Sequence, residues 1–117
     1  STGVSGDIAA LADWRPTTAY FYSTGVTCSG AGGAAMAANA SLVQYRVENA
    51  QIDSVGLNAI VLDLWTHRAN GAGLTVNISG NPGVLTADSV ARIEGTGAYA
   101  GDGIKTYGAV VTYTPPS

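Results

Sequence analysis

The chain has 117 residues and carries little charge, since Asp, Glu, Lys and Arg make up 11% of it against about 25% in an ordinary soluble domain. Its formal net charge is −3, with only five Lys and Arg residues. Nucleic-acid binding needs clustered Lys and Arg, so the composition argues against a nucleic-acid partner. The length predicts a single domain over residues 1–117.

The charges are unevenly distributed along the chain. No charged residue lies between Arg15 and Arg46, and none lies between Arg68 and Asp88. The first uncharged run holds Pro16, several glycines and many hydroxyl side chains, whereas a membrane helix needs about 20 predominantly apolar residues. We therefore expect no membrane span. A surface with so little charge provides weak repulsion between copies of a protein, which favours association.

The first third of the chain predicts a helix, a strand and a glycine–alanine segment. Asp7 can cap a short helix over DIAALADW, and Pro16 ends it because the residue before proline avoids the helical region. The β-branched and aromatic residues of TTAYFYSTGVTC predict a strand, with Tyr20 and Tyr22 on one face. The uncharged segment SGAGGAAMAANAS follows.

The rest of the chain predicts strands separated by turns. Five segments each predict a strand, and NAIVLDLWTHR is the most apolar of them. In chain order they are LVQYRVENAQI, NAIVLDLWTHR, GLTVNISG, SVARIEG and YGAVVTYTP. The NPG pattern at residues 81–83 predicts a turn in which Gly83 supplies the positive φ angle. Alternation predicts that these residues share one face of their strands: Val43, Tyr45, Val47, Leu74, Val76, Ile78, Tyr107, Ala109, Val111 and Tyr113.

Short strands with frequent turn signals predict an all-β fold. We expect a small antiparallel β-sandwich or barrel with one short N-terminal helix and no internal repeat.

The chemistry-bearing residues do not form a recognisable catalytic set. If NAIVLDLWTHR is a strand, Asp63 and His67 share a face but lie roughly 13 Å apart, too far for an acid–base pair. One His and one Cys cannot supply the three or four ligands of a zinc site, and Asp102 lacks the acidic series of a calcium loop. We expect no catalytic residue, no metal and no cofactor. If the protein is an enzyme, Asp63, His67 and Asp102 are the first residues to test.

The main functional hypothesis is a non-enzymatic, self-assembling structural β-domain. Small side chains allow close approach of another chain, and interface cores are depleted of charge. The predicted interface consists of Ala31, Ala34, Ala35, Met36 and Ala38. The partner would be further copies of the chain or a larger scaffold, at a virion or extracellular surface, with the protein acting as a capsid decoration, cement, minor coat or filament subunit. The alternative for this segment is a loop without a partner.

A rival hypothesis is a small secreted carbohydrate-binding module of the lectin type. Tyr20, Tyr22 and Trp65 would then form a platform for sugar rings, although such rings more often pack in a core or an interface. Cys28 is expected to be a buried small hydrophobic residue. Asn39 and Asn77 lie in glycosylation sequons and are expected to be exposed.

Overall fold

A computed structural model describes residues 42–116 in full and, before them, the backbone of three short strands. These three are β1 (Ser5–Asp7), β2 (Thr18–Tyr20) and β3 (Gly25–Thr27). The fully described part contains β4 (Gln44–Arg46), α1 (Ser54–Thr66), β5 (Thr75–Asn77), α2 (Ala87–Glu94) and β6 (Val110–Thr112). Single 3-10 turns lie at Arg68–Asn70, Gly97–Tyr99 and Lys105–Tyr107.

All strand pairs that the structure describes are parallel. One sheet has the order β2-β4-β5-β6, and β1 pairs with β3 in a separate two-stranded sheet. Parallel neighbours need a crossover of a dozen or more residues, usually helical; α1 joins β4 to β5, and α2 lies between β5 and β6. The fold is mixed α/β. The prediction of an all-β antiparallel sandwich or barrel is therefore wrong, because two predicted strands are crossover helices.

Helix α1 replaces the predicted strand NAIVLDLWTHR. The Asp53 carboxylate accepts a hydrogen bond from Gly56 N at 2.9 Å and so caps the helix. The buried residues recur at helical spacing, and they include Leu57, Ile60, Val61 and Leu64. A short apolar run does not by itself distinguish a buried strand from a buried helix, and here the helix is favoured by its cap and its inward-facing stripe.

Helix α2 replaces the predicted strand SVARIEG. Thr86 Oγ1 accepts a hydrogen bond from Ser89 N at 3.1 Å at the first turn. Gly95 ends the helix in the left-handed conformation, with φ 72°, which glycine adopts without steric cost. Between these ends Ile93 is fully buried and Arg92 pairs with Asp88.

The alternation predicted for the three fully described strands is confirmed with three exceptions. Tyr107 is 40% exposed and lies in the 3-10 turn Lys105–Tyr107, outside β6. Val43 is 50% exposed although alternation predicts that it shares the face of Tyr45, and Tyr113 is only partly buried. The register aligns Tyr45 with Val76 and Val76 with Val111. The buried strand residues form one core cluster with Leu57, Ile60 and Ile93 of the helices. These strand residues are Tyr45, Val47, Leu74, Val76, Ile78, Ala109 and Val111.

The turn after β5 uses its glycines differently from the prediction. The positive φ angle, 72°, is at Gly80 and not at Gly83. A Cβ atom at Gly83 would lie 2.3 Å from the backbone carbonyl carbon of Asp53, and Gly83 N donates to Ile52 O at 2.9 Å. Glycine at position 83 therefore permits a close backbone approach to the start of α1.

Two predictions for the first third of the chain fall largely outside the described residues. Of the predicted helix DIAALADW, only Asp7 lies within the described residues, and Asp7 belongs to β1. The predicted strand TTAYFYSTGVTC overlaps β2 and β3, with residues 21–24 outside the description. Among the described helices, none has the length and hydrophobicity that crossing a membrane requires.

Candidate functional site

The sheet presents one face to the core and one face away from it. We call the second surface the open face and define it by Gln44, Arg46, Thr75, Asn77, Val110 and Thr112. Thr75, Val110 and Thr112 are exposed, and the other three are half-buried. Parallel sheets are usually covered on both faces. In residues 42–116, the buried side chains of both helices share one cluster with the inward strand residues, which leaves the opposite face accessible.

The open face is ordered in rows that cross the strands. Gln44 is in register with Thr75, which is in register with Val110. Arg46, Asn77 and Thr112 form the next row in the same way. Strand β2 extends the rows, because Thr18 pairs with Gln44 and Tyr20 with Arg46. Neighbouring positions in a row are separated by the strand spacing of about 4.8 Å.

The charges at one end of this face neutralise each other. Arg46 Nε donates to Glu48 Oε2 at 2.9 Å, and a second bond joins Arg46 Nη2 to the same oxygen. Asn77 Nδ2 lies 3.4 Å from that oxygen. Glu48 is almost completely buried, at 6% exposure. The fully described part of the open face is therefore a polar surface without net charge.

Asn77 does not have the free, exposed side chain that its sequon suggested. It is half-buried, and its Oδ1 accepts hydrogen bonds from Ser79 N at 3.1 Å and Ser79 Oγ at 2.7 Å. This bonding is a local turn of the kind that Asn side chains commonly form. The other sequon, at Asn39, lies outside the described residues.

Asn81 connects two successive strand segments through backbone hydrogen bonds. Its Oδ1 accepts from Ala50 N and Ile52 N, both at 3.2 Å. Its Nδ2 donates to Val47 O at 2.9 Å and to Ile78 O at 3.0 Å. One side chain therefore satisfies backbone groups that follow β4 as well as β5.

Trp65, a predicted sugar-stacking residue, lies within a cluster of protein side chains. The Arg68 guanidinium is 4.1 Å from the indole centroid and that of Arg92 is 5.4 Å from it. The Tyr99 ring meets the indole edge to face, at 5.3 Å between centroids. Because three side chains occupy the surroundings of the ring, Trp65 is not a free platform. Of the other two predicted platform residues, Tyr20 is described only in its backbone and Tyr22 lies outside the description.

Asp102 is a structural anchor for the loop after α2. Arg68 donates to both of its carboxylate oxygens, at 2.9 and 3.1 Å, and Tyr107 Oη donates to it at 2.7 Å. The hydrogen bond from Arg68, followed by that from Tyr107, lowers the pKa of Asp102 below its ordinary value. Its backbone carbonyl accepts from Trp65 Nε1 at 2.9 Å. In the described part of the chain no group of three or more His, Cys, Asp and Glu side chains could hold a metal ion.

Asp63 and His67 are much closer than the sequence predicted. They lie one helical turn apart on α1, and His67 Nδ1 is 3.1 Å from Asp63 Oδ1. The predicted separation of roughly 13 Å is wrong because it assumed a strand. A buried carboxylate beside a half-exposed imidazole can orient that ring. The pair supplies no nucleophile, and Asp102 bonds to Arg68 rather than to His67.

The residues of the predicted interface all lie outside the described part of the chain. They are Ala31, Ala34, Ala35, Met36 and Ala38, and the same holds for Cys28.

Sequence reasoning did not identify the open face, although one signal for the parallel sheet was present. The spacing of Tyr45, Val47 and Ala50 recurs at Val76, Ile78 and Asn81. A recurring strand pattern of this kind predicts parallel stacking of equivalent turns.

Comparison of the chain with protein-family models finds no match, and comparisons with curated proteins and with solved structures find none.

Proposed function

We propose that this domain is a non-enzymatic protein-binding module and that its partner is an extended polypeptide segment lying across the open face. The observation that carries the proposal is the burial pattern of the parallel sheet. The middle residue of each of β4, β5 and β6 is buried, whereas its two neighbours are exposed or half-buried. A parallel sheet with one accessible face departs from the usual arrangement, in which helices cover both.

The order of the strands supports a binding role. From β4 to β6, each turn of the chain adds one strand beside the previous one, with a helix on the core side. Proteins built by such stacking expose a continuous surface along the sheet, and they use extended surfaces of this type for binding. The contacts of Asn81 keep successive turns in register.

The chemistry of the open face fits a polypeptide better than a nucleic acid or a sugar. The exposed hydroxyl side chains of Thr75 and Thr112 can hydrogen-bond to a peptide backbone. Arg46 is neutralised by Glu48, so the described rows offer no unpaired positive charge for phosphate. Stacking on Trp65 is disfavoured because the arginines and Tyr99 surround it.

The hypothesis of a role in a virion or a filament stays a prediction. A capsid or filament scaffold is one kind of protein that could supply the extended segment. The carbohydrate-binding alternative also stays a prediction, and it depends on Tyr20 and Tyr22 more than on Trp65.

A peptide selection tests the proposed function. Displayed random peptides of about 12 residues would be selected on the intact chain, and the affinity of the enriched sequences would be measured. The double variant Thr75→Arg, Thr112→Arg places two long cations on the open face, one on β5 and one on β6. We expect it to weaken binding of the selected peptides at least tenfold, because it obstructs the surface and adds unpaired charge.

Thr96→Arg is the matched control, because Thr96 is exposed in the loop after α2 and is not part of the open face. We expect it to retain peptide affinity. If selection yields no binding peptide, or if both variants bind the peptides as the wild type does, the open face is not the binding surface.

A further inference from the structure

The last strand of the four-stranded sheet has an edge that no other described strand occupies. Among the strands that the structure describes, β6 ends the order β2-β4-β5-β6 and pairs only with β5. Val110 N donates to Leu74 O and Thr112 O accepts from Ile78 N, both at 2.9 Å. Val110 and Thr112 therefore direct their backbone groups toward β5.

Val111 directs its backbone N–H and C=O groups away from β5. In a parallel sheet, successive residues of a strand bond alternately to one side and to the other, and Val111 lies between the two residues that bond to β5. Its side chain belongs to the core cluster. At the edge of the sheet Val111 therefore presents one backbone donor and one backbone acceptor, which together form a template for another strand.

The sequence around β6 lacks the charges that usually protect an edge strand. Edge strands of natural sheets often carry charged residues, especially Lys, which discourage pairing with another chain. No charged side chain occurs from Thr106 to Pro116, and Val110 is 60% exposed. Residues 109–114, with the sequence AVVTYT, are mainly β-branched or aromatic, which favours an extended strand.

Two backbone features limit the length of the free edge. Gly108 has a φ angle of 102°, which is not extended, and Pro115 has no N–H donor. The six residues between them span about 20 Å at roughly 3.3 Å per residue. One added strand fills this length, whereas folded partners typically bury at least about 1,200 Å² of total area. The size of the edge therefore favours a single extended segment over a second folded domain.

We propose that the free edge of β6 binds an extended, uncharged segment of another polypeptide, which adds to the four-stranded sheet as a further strand. Val111 N–H donates to a carbonyl of the segment, and Val111 C=O accepts from one of its amides. Main-chain hydrogen bonds supply the affinity of such strand addition, and alternate side chains supply its specificity. Beside Val110 and Thr112 the segment carries β-branched side chains, because cross-strand pairs of that type pack favourably.

Amide hydrogen exchange on the intact chain tests the free edge directly. The amide of Val111 should exchange faster than those of Val110 and Ile78, which are bonded within the sheet. The probe is a capped peptide of alternating Thr and Val with one Lys at each end for solubility. Adding it should slow the exchange of Val111 at least tenfold and change Val110 little, because Val111 gains a new acceptor.

N-methylation of the probe tests whether main-chain hydrogen bonds hold it. A probe methylated on alternate residues keeps one free backbone edge, whereas a probe methylated on every residue has none. We expect the first to bind within about twofold of the unmodified peptide and the second at least tenfold more weakly.

Two variants of the chain locate the bound probe. Val111→Pro removes the outward N–H of β6 without removing a donor or acceptor that bonds to β5, and it should weaken binding at least tenfold. Val110→Lys is a second edge variant that keeps every backbone N–H, and its charge beside the edge should also weaken binding. Thr75→Arg is the matched control, because Thr75 lies on the open face one strand away from the edge. It should bind as the wild type does, and circular dichroism establishes that each variant is folded.

The proposal is wrong if Val111 in the free chain exchanges as slowly as Val110, or if the probe leaves its exchange unchanged. It is also wrong if the fully methylated probe binds as the unmodified one does. Protection of Val111 that appears only as the protein concentration rises would contradict it as well, since the occupant would then be a second copy. Weakening by Thr75→Arg with no effect of Val110→Lys would place the probe on the open face. The proposal therefore stands or falls separately from the function proposed for that face.

Discussion

At the scale of single residues, Glu94 joins three parts of the chain. Its carboxylate accepts hydrogen bonds from Lys105 Nζ at 2.8 Å and from Tyr113 Oη at 2.7 Å. Lys105, followed by Tyr113, lowers the pKa of Glu94. The same carboxylate raises the pKa of Tyr113 to about 12, and burial of the phenol adds to that effect. The end of α2, the loop after it and the segment after β6 are therefore connected through one acidic side chain.

The raised pKa of Tyr113 predicts a loss of stability at alkaline pH. An unfolded tyrosine titrates near pH 10, so the stabilisation from this group is complete below about pH 10 and is lost as the pH rises toward 12. Tyr113→Phe should therefore reduce the free energy of unfolding by a constant amount at neutral pH, and the difference from the wild type should shrink between pH 10 and 12. Urea unfolding at each pH measures this difference.

Ultraviolet titration of tyrosinate gives an independent measurement. The difference between wild type and Tyr113→Phe should show a phenol that ionises near pH 12. Glu94→Gln should move this ionisation back toward pH 10, because it removes the principal cause of the shift. Titration of Tyr113 near pH 10 in the folded wild type would contradict the assigned hydrogen bond.

At the scale of elements, the sequence predicted strand faces better than it predicted element type. Val76 and Ile78 alternate strictly with Thr75 and Asn77, so their burial follows from the pleat of any strand, parallel or antiparallel. The run that became α1 contains residues suited to either element. Its decisive features, the Asp53 cap and the close approach at Gly83, depend on contacts that a local pattern does not show.

The close contact between α2 and the following loop predicts unequal effects of two glycine substitutions. At Gly103 a Cβ atom would lie 2.2 Å from Gly95 N and 2.4 Å from Gly95 Cα, both in the backbone. We expect Gly103→Ala to lower the free energy of unfolding by about 3 kcal/mol, because the backbone must shift. Gly101 has a positive φ of 73°, but a Cβ atom added there would meet no other atom within 4 Å, so Gly101→Ala should cost about 1 kcal/mol.

Urea unfolding of both variants measures these costs under the same conditions. Equal destabilisation, or a larger effect of Gly101→Ala, would mean that the loop can move away from α2 without penalty.

At the scale of the whole molecule, residues 42–116 form successive strand–helix turns held in register by a few polar contacts. Backbone bonds such as Val47 N to Asn77 O and Ile78 N to Thr112 O continue the ladder beyond the assigned strands. Each turn depends on its neighbour for burial of its core residues. The single-domain interpretation remains a prediction for the chain as a whole. The parallel order was not predicted, because each strand is short and its neighbour is decided by the helix between them.

Asn81 provides the sharpest test of coupling between turns. Asn81→Ala would remove the acceptor of Ala50 N and Ile52 N and the donor to Val47 O and Ile78 O. An unsatisfied buried backbone group costs about 1–3 kcal/mol. The four backbone groups bonded to Asn81 are only partly buried, so water can reach some of them and the total cost is smaller than four such penalties. We therefore expect a loss of about 3 kcal/mol in the free energy of unfolding. Thr114→Ala is the comparison, because Thr114 Oγ1 accepts a hydrogen bond from Gly80 N at an exposed position, and it should cost about 1 kcal/mol.

Amide hydrogen exchange distinguishes loss of coupling from general destabilisation. In Asn81→Ala the amides of Ala50 and Ile52 should lose more protection than the overall change in stability accounts for, because their own acceptor is gone. The amide of Val110, which donates to Leu74 O at 2.9 Å, should follow the global change alone. Uniform loss of protection at all three amides would show that Asn81 contributes to stability without specifically connecting the turn after β4 to the turn after β5.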